Sequence, residues 1–456
     1  MKQLTKDDIT IKNARRIHLI GIGGSGMCPI AELLLSKGYT VSGSDRVESD
    51  NTKRLKSLGA TVFIGQREEN IDGADIVCYS AAVHGDNPEL AAARKRELPT
   101  FERSKLLGAI TRFYGNTVGV CGTHGKTTVT SMITQILLLN KRDPSAVIGG
   151  RLPLVGSACV SGGSDTLVCE SCEFVDSFLE FSPDVSVLLN IDDDHLDYFK
   201  TMDNLTASFT KFCAKSKICY YNGDDERSVK AVSGISATKI TYGTAEGNLY
   251  RAVNLTAGRF GFSFDVVKKG ETVGHLDMRV PGRHNVYNGL VSFAVCFDMG
   301  VDAKGIASAL EKFTGAARRF QLIGEKSGVT VVDDYAHHPT EIAATLSAAK
   351  SLDYKHVITV FQPYTYSRVA LLKEGMIKAL SIADKVFLTP IVASREENIY
   401  GVSSEDIAGA LDGGRVIADY EELASEMAAA AEDGDIIITM GAGDIFKVGA
   451  KILEKL

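Results

Sequence analysis

The sequence predicts a protein of the α/β class with three consecutive domains, each built around a mostly parallel sheet. The length of 456 residues is roughly three times that of a usual single domain. Short β-branched segments alternate with helix-like segments along most of the chain, as parallel strands with helical crossovers require. Two of the predicted strands run directly into glycine-rich turns.

Three sets of predicted strands define the domains. The first set is IHLI, YTVSGS, ATVFIG and DIVCYS, the second is NTVGVC, DTLVCE, DVSVLLN and KICYYN, and the third is GVTVVDDY, HVITVFQ, KVFLTP and DIIITMGAG. We therefore predict domains over 1–107, 108–321 and 322–456. The segment 259–280 has apolar alternation on both sides of KKGE, which predicts an antiparallel hairpin appended to the second set.

Composition excludes several classes of protein. Apolar residues make up 45% and charged residues 23%, which is typical of a globular chain. The net charge of −7 provides no positive field for nucleic acid. The N-terminus lacks the apolar run of a secretory signal, and no stretch approaches the ~20 apolar residues that span a bilayer. We therefore expect a cytoplasmic protein with neither a nucleic-acid nor a membrane partner.

The nine cysteines lack the spacing of a disulfide framework and lie mostly in apolar segments. Cys169 and Cys172 form the only C-x-x-C, but no second pair completes a zinc site. Core packing is the favoured interpretation.

A phosphate-binding loop follows the strand NTVGVC and opens a helix-like segment. Such a loop directs backbone N–H groups and a helix N-terminus at phosphate oxygens, with a lysine and a hydroxyl to meet the terminal phosphates and Mg²⁺. The alternative is an ordinary glycine turn, since Val120 stands where the strict pattern has glycine. The candidate ATP-binding residues here are Gly122, Thr123, His124, Gly125, Lys126, Thr127 and Thr128. The second domain is thus predicted to be of the phosphate-loop ATPase type, between two Rossmann-like domains.

Acidic residues and one histidine follow two further strands of the second set. Glu173 comes soon after DTLVCE, and His195 lies in the segment DDDHLD after DVSVLLN. Ligands bind at the carboxyl ends of strands in open α/β sheets, and hard oxygen ligands beside phosphates favour Mg²⁺ over zinc. A solvated acidic loop is the structural alternative.

A second glycine loop, GIGGSG at 21–26, follows the first predicted strand, and Asp45 ends the next one. This weakly specific pattern indicates a diphosphate near a helix N-terminus, which both UDP-sugars and NAD carry. The loop alone therefore leaves open a ligase with a nucleotide-sugar substrate and an oxidoreductase.

The segment GRHNVYN at 282–288 enters a helix-like stretch. Asn285 and Asn288 are three residues apart, so both amides can face one ligand, although Asn285 as a plain N-cap fits equally well. Arg318 and Arg319 lie between the second and third domains, where an arginine can stabilise a transferring phosphoryl group, although surface exposure is commoner.

The segment Asp333-Asp334-Tyr335-Ala336-His337-His338-Pro339 follows a strand of the third set. Two aspartates and two histidines resemble a metal cluster. Pro339 restricts His338, however, and the segment has no helical i, i+4 ligand pair, so we disfavour a transition metal.

Seven motifs in fixed order resemble those of the bacterial Mur ligases, in the branch that adds alanine: GIGGSGM, GTHGKTT, E-x-x-E, DDDHLD, GRHNVYN, RRF and DDYAHHPTE. Folylpolyglutamate synthase is a more distant relative. The resemblance implies an ATP-dependent ligase that joins L-alanine to the lactyl carboxylate of UDP-N-acetylmuramate through an acyl phosphate, in peptidoglycan precursor synthesis. It implies Mg²⁺ as a cofactor and a monomer or homodimer.

The resemblance also implies roles for individual residues. The UDP-sugar would be bound by Gly23, Gly24, Ser25, Gly26, Asp45 and Ser80. ATP would be contacted by the phosphate loop and also by His284, Asn285, Asn288, Arg319 and Asp334. The metal would be held by Thr127, Glu173 and His195. The amino acid would be bound by His337 and Arg368, and the catalytic set would be Lys126, Glu173, His195, Arg319 and His337.

Two positions bear on the branch of the family. Later-acting Mur ligases carry a carbamylated lysine at the position where this chain has Phe209. The absence of this lysine is what the alanine-adding branch would show. The segment FQPYTYSR resembles the family's FQPHRYTR, but Tyr364 and Thr365 replace a basic pair and leave Arg368. Selectivity for alanine over glycine or serine is thus open. One alternative is a recycling ligase that adds a preformed peptide. The other is a regulatory protein that has lost catalysis, and the retained Lys126, Glu173 and His195 disfavour this second alternative.

Overall fold

The computed structural model describes residues 2–258, 261–315, 318–394 and 396–456. It contains three sheets, and contacts divide the chain into two compact units. The first unit comprises Met1–Val253, Val266–Gly274 and Tyr287–Leu310, and the second comprises Asn254–Asp265, His275–Val286 and Glu311–Leu456. The predicted α/β class is confirmed. The boundaries predicted at 107 and 321 stay predictions.

The first sheet has five parallel strands in the order β3-β2-β1-β4-β5. Its strands are β1 (Arg16–Ile20), β2 (Thr40–Asp45), β3 (Thr61–Ile64), β4 (Ile76–Tyr79) and β5 (Thr100–Glu102). The helices of this segment are α1 (Lys6–Asn13), α2 (Cys28–Ser36), α3 (Asp50–Ser57), α4 (Pro88–Lys95) and α5 (Arg103–Phe113), with a 3₁₀ helix at Glu68–Ile71. Chain order reverses between β1 and β4, which marks the edge where ligands bind in such sheets.

The second sheet has the order β15-β14-β13-β12-β11-β10-β6-β9-β7-β8. Its strands are β6 (Asn116–Cys121), β7 (Ser145–Leu152), β8 (Ser157–Val160), β9 (Thr166–Glu170), β10 (Val185–Leu188), β11 (Ile218–Asn222), β12 (Thr238–Gly243), β13 (Tyr250–Gly258), β14 (Gly261–Lys268) and β15 (Glu271–Met278). The helices are α6 (Lys126–Leu139), α7 (Leu196–Phe199), α8 (Met202–Cys213), α9 (Glu226–Val232), α10 (His284–Asp298) and α11 (Ala303–Glu311), with a 3₁₀ helix at Phe174–Glu180. Strands β9 and β10 flank β6 and run parallel to it.

The predicted hairpin is confirmed as β14 and β15, which are neighbours at one end of this sheet. They are joined across Lys269 and Gly270, both of which have positive φ. The first two residues of the predicted hairpin, Arg259 and Phe260, lie outside the described residues.

The third sheet has the order β16-β17-β21-β18-β19-β20. Its strands are β16 (Gln321–Lys326), β17 (Val329–Asp334), β18 (Val357–Gln362), β19 (Lys385–Leu388), β20 (Arg415–Val416) and β21 (Ile436–Gly441). The helices are α12 (Pro339–Lys350), α13 (Tyr366–Leu380), α14 (Glu405–Ala408), α15 (Tyr420–Ala430) and α16 (Phe446–Lys455). Only the β16–β17 pair is antiparallel, so the carboxyl ends of β17, β18, β19 and β21 meet at one edge.

The cores of these sheets contain the cysteines as free thiols. Eight of the nine are buried and Cys172 is half-buried, which confirms core packing as their main environment. None of the helices within the described ranges is both long and apolar enough to cross a membrane.

Phe209 is a fully buried core residue of α8. Its ring packs edge-on against Phe178, with centroids 5.4 Å apart, and Phe178 stacks on Phe212.

We expect Phe209→Ala to lower the free energy of unfolding by about 3–5 kcal/mol, because it removes a buried ring and leaves a cavity. Denaturant titration followed by circular dichroism measures this change. Val229→Ala, at a position of α9 that is 41% exposed, is the control. An equally small decrease in the free energy of unfolding for both variants would contradict this role of Phe209 in core packing.

Candidate active site

The glycine loop after β1 lies at the carboxyl edge of the first sheet. The Gly23 N–H donates to Asp45 Oδ2 at 2.9 Å, so Asp45 at the end of β2 closes one side of the loop. Ser80 follows β4, and its Oγ lies 3.7 Å from where a Cβ on Gly21 would be. The predicted residues Gly24, Ser25 and Gly26 continue the loop toward α2. The structure therefore brings the loop, Asp45 and Ser80 to one edge, and their contact with a UDP-sugar stays a prediction.

A cavity of about 110 Å³ adjoins this loop, and its wall includes Asn51 and Arg151, which the sequence did not identify as candidates. Asn51 donates from Nδ2 to the Gly23 carbonyl at 2.9 Å. Arg151, the second-last residue of β7, donates to Asn51 Oδ1 at 3.4 Å. Ser25 also lines the cavity. A guanidinium and an amide thus stand beside a loop suited to a diphosphate.

The phosphate loop links β6 to α6 and requires glycine at Gly122. This residue has φ +137°, and a Cβ there would lie 2.9 Å from the Leu189 Cβ. The loop ends at Gly125, which has φ +87° and forms the N-cap of α6. Thr127 is buried and Thr128 half-buried in the first turn of α6, whose N-terminus supplies N–H donors for an anion.

Asn190 and Asp192, just after β10, hold the phosphate loop in place by hydrogen bonds. Asn190 Oδ1 accepts from the His124 N–H at 2.8 Å, and its Nδ2 donates to the His124 carbonyl at 3.0 Å. The Asp192 N–H donates to Thr123 Oγ1 at 2.9 Å. The His124 ring, 3.5 Å from the Asp192 carboxylate, holds the pKa of that carboxyl well below its ordinary value. These contacts were not predicted, although Asp192 stands in the motif DDDHLD and Asn190 ends the segment DVSVLLN before it.

The central interaction of the site is an ion pair between Lys126 and Glu173. Lys126 Nζ lies 2.9 and 3.1 Å from the two carboxylate oxygens and also donates to the Gly122 and Thr123 carbonyls. The Glu173 side chain is 1% exposed. Burial opposes the charge on Lys126, but the Glu173 carboxylate and other nearby groups together outweigh burial, and the pKa of Lys126 is raised. Lys126 is therefore charged at neutral pH.

The segment after Glu173 is backbone-strained and packs on His195. Val175, Asp176 and His195 all have positive φ, which non-glycine residues rarely adopt. The Phe174 ring lies over the His195 ring with centroids 4.8 Å apart. Asp176 accepts hydrogen bonds from Tyr198 and Ser208, which tie this segment to α7 and α8. Strain of this kind is typical of functional sites.

The three residues of segment 282–288 that were predicted to contact ATP lie in different environments. Asn288 is buried beside the phosphate loop, since its Oδ1 would be 3.0 Å from a Cβ on Gly125. Asn285 lies inside the first turn of α10, because that helix begins at His284, and its Nδ2 donates to the Pro281 carbonyl at 2.6 Å. The N-cap interpretation of Asn285 is therefore wrong. His284 is exposed at the start of α10, and its contact with nucleotide stays a prediction.

The structure separates the roles of the two adjacent arginines. Arg318 is an anchor: its guanidinium donates to Asp333 and to the Gly441 and Gly443 carbonyls, and it stacks on Tyr335. Arg319 is only loosely held. Its Nη1 lies 3.8 Å from the Glu341 carboxylate, and its guanidinium lies over the Tyr335 ring. Arg319 is therefore the one of the pair that can reach an anionic ligand.

Asp334 and His337 follow β17. Asp334 accepts from the Phe320 and Ala336 N–H groups at 2.7 and 2.8 Å, and burial raises its pKa to about 6 although Arg319 opposes the rise. His337 Nδ1 donates to the Tyr335 carbonyl at 3.0 Å, which leaves Nε2 as an acceptor. Burial lowers the pKa of His337, and Arg368 and Arg319 add to this effect against Glu341. His337 is thus neutral near pH 7.

His338 is the N-cap of α12. Its ring accepts from the Thr340 N–H, and Glu341 completes a capping box. No group of three or more His, Cys, Asp or Glu suited to a metal ion is found in the described ranges. The aspartates and histidines of 333–338 therefore have separate roles: His338 is a helix cap, Asp333 is the partner of Arg318, and Asp334 and His337 hydrogen-bond to nearby backbone groups.

Arg368 lies in the first turn of α13 and is half-buried. Within the described ranges its guanidinium makes no hydrogen bond or ion pair. A carboxylate is the natural partner of such a group.

Three family models match successive parts of the chain: the Mur ligase family catalytic domain over 16–114, the Mur ligase middle domain over 120–296, and the Mur ligase glutamate ligase domain over 318–443. The chain therefore belongs to the Mur ligase family.

Among its relatives are two named UDP-N-acetylmuramate–L-alanine ligase. The one from Caldicellulosiruptor saccharolyticus is 42% identical over 96% of this chain and 98% of its own length. The one from Clostridium acetobutylicum is 40% identical over 99% of each. The crystal structure of UDP-N-acetylmuramate-alanine ligase from Thermotoga maritima matches with a TM-score of 0.83 at 28% identity, over 96% of this chain and 98% of that one. A murein peptide ligase from Psychrobacter arcticus shares the fold, with a TM-score of 0.73 at 22% identity over 97% and 98%.

The Lys126–Glu173 pair can be tested by a double-mutant cycle. We expect Lys126→Met to lower the free energy of unfolding by about 3–5 kcal/mol, because it leaves a buried carboxylate unpaired. Adding Glu173→Gln should restore most of the stability but not nucleotide affinity. Denaturant titration and calorimetry with ATP measure the two effects. Independent, additive losses would contradict the pairing.

The depressed pKa of His337 predicts a pH dependence of stability. Between the folded pKa and the ordinary value of 6.5, the unfolded chain binds more protons, so the free energy of unfolding rises with pH. The stabilisation is full above pH 6.5 and is lost as pH falls through the folded pKa. We expect His337→Gln to flatten this slope in unfolding titrations at a series of pH values. Identical slopes in both proteins would refute the assignment.

Proposed function

We propose that this chain is an ATP-dependent ligase that forms the amide bond between the lactyl carboxylate of UDP-N-acetylmuramate and L-alanine, in peptidoglycan precursor synthesis. The observation that carries the chemistry is the buried Lys126–Glu173 pair at a phosphate loop. The substrates are inferred from relatives about 40% identical over nearly the whole chain. A cytoplasmic location and a monomeric or homodimeric state remain predictions.

ATP would bind through the phosphate loop. The N–H groups at the start of α6 would meet the phosphate oxygens, and Lys126 would exchange part of its contact with Glu173 for the β- and γ-phosphates. His284, Asn285, Asn288, Arg319 and Asp334 are the further residues proposed to contact ATP. Of the two arginines, Arg319 is the one with a guanidinium loose enough to meet the transferring phosphoryl group.

Thr127, Glu173 and His195 would hold Mg²⁺. A buried carboxylate and a buried hydroxyl beside the phosphate loop suit a hard cation that completes its shell with phosphate oxygens and water. When bound, Mg²⁺ would neutralise charge on the phosphates.

The reaction would have two steps. A lactyl carboxylate oxygen attacks the γ-phosphorus of ATP, ADP leaves, and an acyl phosphate forms. The neutral amine of alanine then attacks the acyl carbon, and phosphate leaves from the tetrahedral intermediate. Lys126 would stabilise the negative charge that develops in both steps.

The third-sheet residues would receive the amino acid. Arg368 would bind its carboxylate, since the guanidinium has no competing ion-pair partner among the described residues. His337 presents a neutral Nε2, which can accept a proton from the ammonium group and does not repel it. Arg368 and His337 would together orient the amine toward the acyl phosphate.

The UDP-sugar would bind at the first sheet, through Gly23, Gly24, Ser25, Gly26, Asp45 and Ser80. Its diphosphate fits the N–H groups and helix N-terminus of the glycine loop. This loop is the feature that also allowed a nicotinamide cofactor, but the full-length relatives are ligases, and acyl-phosphate chemistry needs no hydride.

The proposal is tested by ADP release with UDP-N-acetylmuramate, ATP and a panel of amines comprising alanine, glycine, serine and the tripeptide of the recycling reaction. We expect alanine to give the highest kcat/KM. A preference for the tripeptide would favour the recycling ligase instead, and absence of turnover with every amine would refute ligase function.

Glu173 should be required for the first step itself. We expect Glu173→Ala to reduce acyl phosphate formed from ATP and UDP-N-acetylmuramate without amino acid, trapped with hydroxylamine or borohydride, by at least about a hundredfold. Arg368→Ala is the matched control, because it should leave trapping intact and chiefly raise the KM for alanine. Full trapping in Glu173→Ala would remove Glu173 from the phosphorylation step.

A further inference from the structure

The first turn of α13 is fixed by a carboxylate from another loop. Thr365, the residue before α13, has φ +60° and makes no side-chain capping bond. Instead the Ser367 N–H donates to Glu396 Oε2 at 2.8 Å, and the Ser367 hydroxyl donates to Glu396 Oε1 at 2.5 Å. Glu396 thereby satisfies an N–H that an α-helix leaves without an intrahelical partner, and its charge complements the helix dipole.

The loop that carries Glu396 is hydrogen-bonded to the chain that enters α13. The Thr365 N–H donates to the Val392 carbonyl, and the Val392 N–H donates to the Pro363 carbonyl, both at 2.9 Å. The Tyr364 hydroxyl donates to Ser394 Oγ at 3.1 Å. Because β18 and β19 are neighbours, the two segments that follow them form one paired edge. Glu396 is therefore held in place at this edge.

Arg368 depends on the turn that Glu396 caps. It is the residue after Ser367, and Tyr364 and Thr365 carry no charge, so Arg368 is the sole cation in the segment 361–368. Its charge contributes to the lowered pKa of His337, which places the guanidinium near that ring. The Glu396 carboxylate is occupied by two donors from Ser367, so it is not the ion-pair partner of Arg368.

We propose that Glu396 is a positioning residue for the amine substrate: by capping α13 it fixes the turn that presents Arg368 to the amino acid's carboxylate. The proposal rests on the proposed function. A loosened turn would let Arg368 sample other rotamers, and the amino acid would bind less tightly. ATP and the UDP-sugar bind elsewhere and would be unaffected, and so would the phosphorylation step.

The test is steady-state kinetics of the full-length chain with Glu396→Gln, Glu396→Ala and Ser367→Ala. We expect the KM for alanine to rise about five- to tenfold in Glu396→Ala, the effect of a lost cap, with kcat within about twofold. Glu396→Gln keeps one acceptor oxygen and should show a smaller rise. The KM values for ATP and UDP-N-acetylmuramate should not change.

Asp419→Ala is the matched control, because Asp419 caps α15 of the same unit through the Glu421 and Glu422 N–H groups at 2.9 and 2.8 Å. An equal rise in the alanine KM for this variant would reduce Glu396 to a general stabiliser and overturn the proposal.

The mechanism is tested by coupling to Arg368. If Glu396 acts through Arg368, then Glu396→Ala should add nothing to the alanine KM in an Arg368→Ala background. Additive effects, or an unchanged KM in Glu396→Ala alone, would overturn the proposal. A wild-type chain that ligates no amine would instead refute the proposed function, so the two failures are distinguishable.

Discussion

The buried pair of Lys126 and Glu173 is the interaction on which the active site depends. A carboxylate with 1% exposure is tolerated only with a cation at hydrogen-bond distance, and Lys126 supplies it at 2.9 Å. The pair exists because β6 and β9 are adjacent and parallel, so that the segments after them meet at one edge. Asn190 and Asp192, from the strand on the other side of β6, hold the loop in place. The topology of the second sheet thus prepares a phosphate site before any substrate binds.

The edge of the third sheet follows the same physical rule with a different balance of charge. The Arg318 guanidinium is bound to Asp333 and to two backbone carbonyls, whereas the guanidinium groups of Arg319 and Arg368 remain available for anions. Burial lowers the pKa of His337, so that its ring is neutral near pH 7, and raises the pKa of Asp334 to about 6. An anion-binding edge that also contains a neutral imidazole suits a substrate that carries both a carboxylate and an amine.

Sequence patterns predicted the features that depend on strand order. The phosphate loop, Glu173 and His195 could be predicted because each follows a β-branched segment and parallel strands end at one edge. The same logic placed Asp45 beside the glycine loop, whereas Ser80 followed only from the family resemblance. The pattern of GIGGSG alone did not distinguish a UDP-sugar from NAD, since both carry a diphosphate.

Features that depend on contacts distant in sequence could not be predicted. Arg318 and Arg319 are identical neighbours, and only the positions of Asp333, Gly441 and Gly443 decide which one is an anchor. The sequence left Asn285 as either a ligand contact or a helix N-cap, because the choice depends on the residue at which α10 begins. Glu396 carries no signal in the sequence, since its partnership with Ser367 requires that β18 and β19 lie side by side. The roles of individual residues in binding stay predictions.

The most direct test of the account is a crystal structure of the chain with Mg²⁺ and a non-hydrolysable ATP analogue. We expect Lys126 Nζ to contact the β- and γ-phosphate oxygens, and Glu173 and Thr127 to ligate the metal. A nucleotide whose phosphates lie away from the 122–128 loop, with the Lys126–Glu173 contact unchanged, would contradict it.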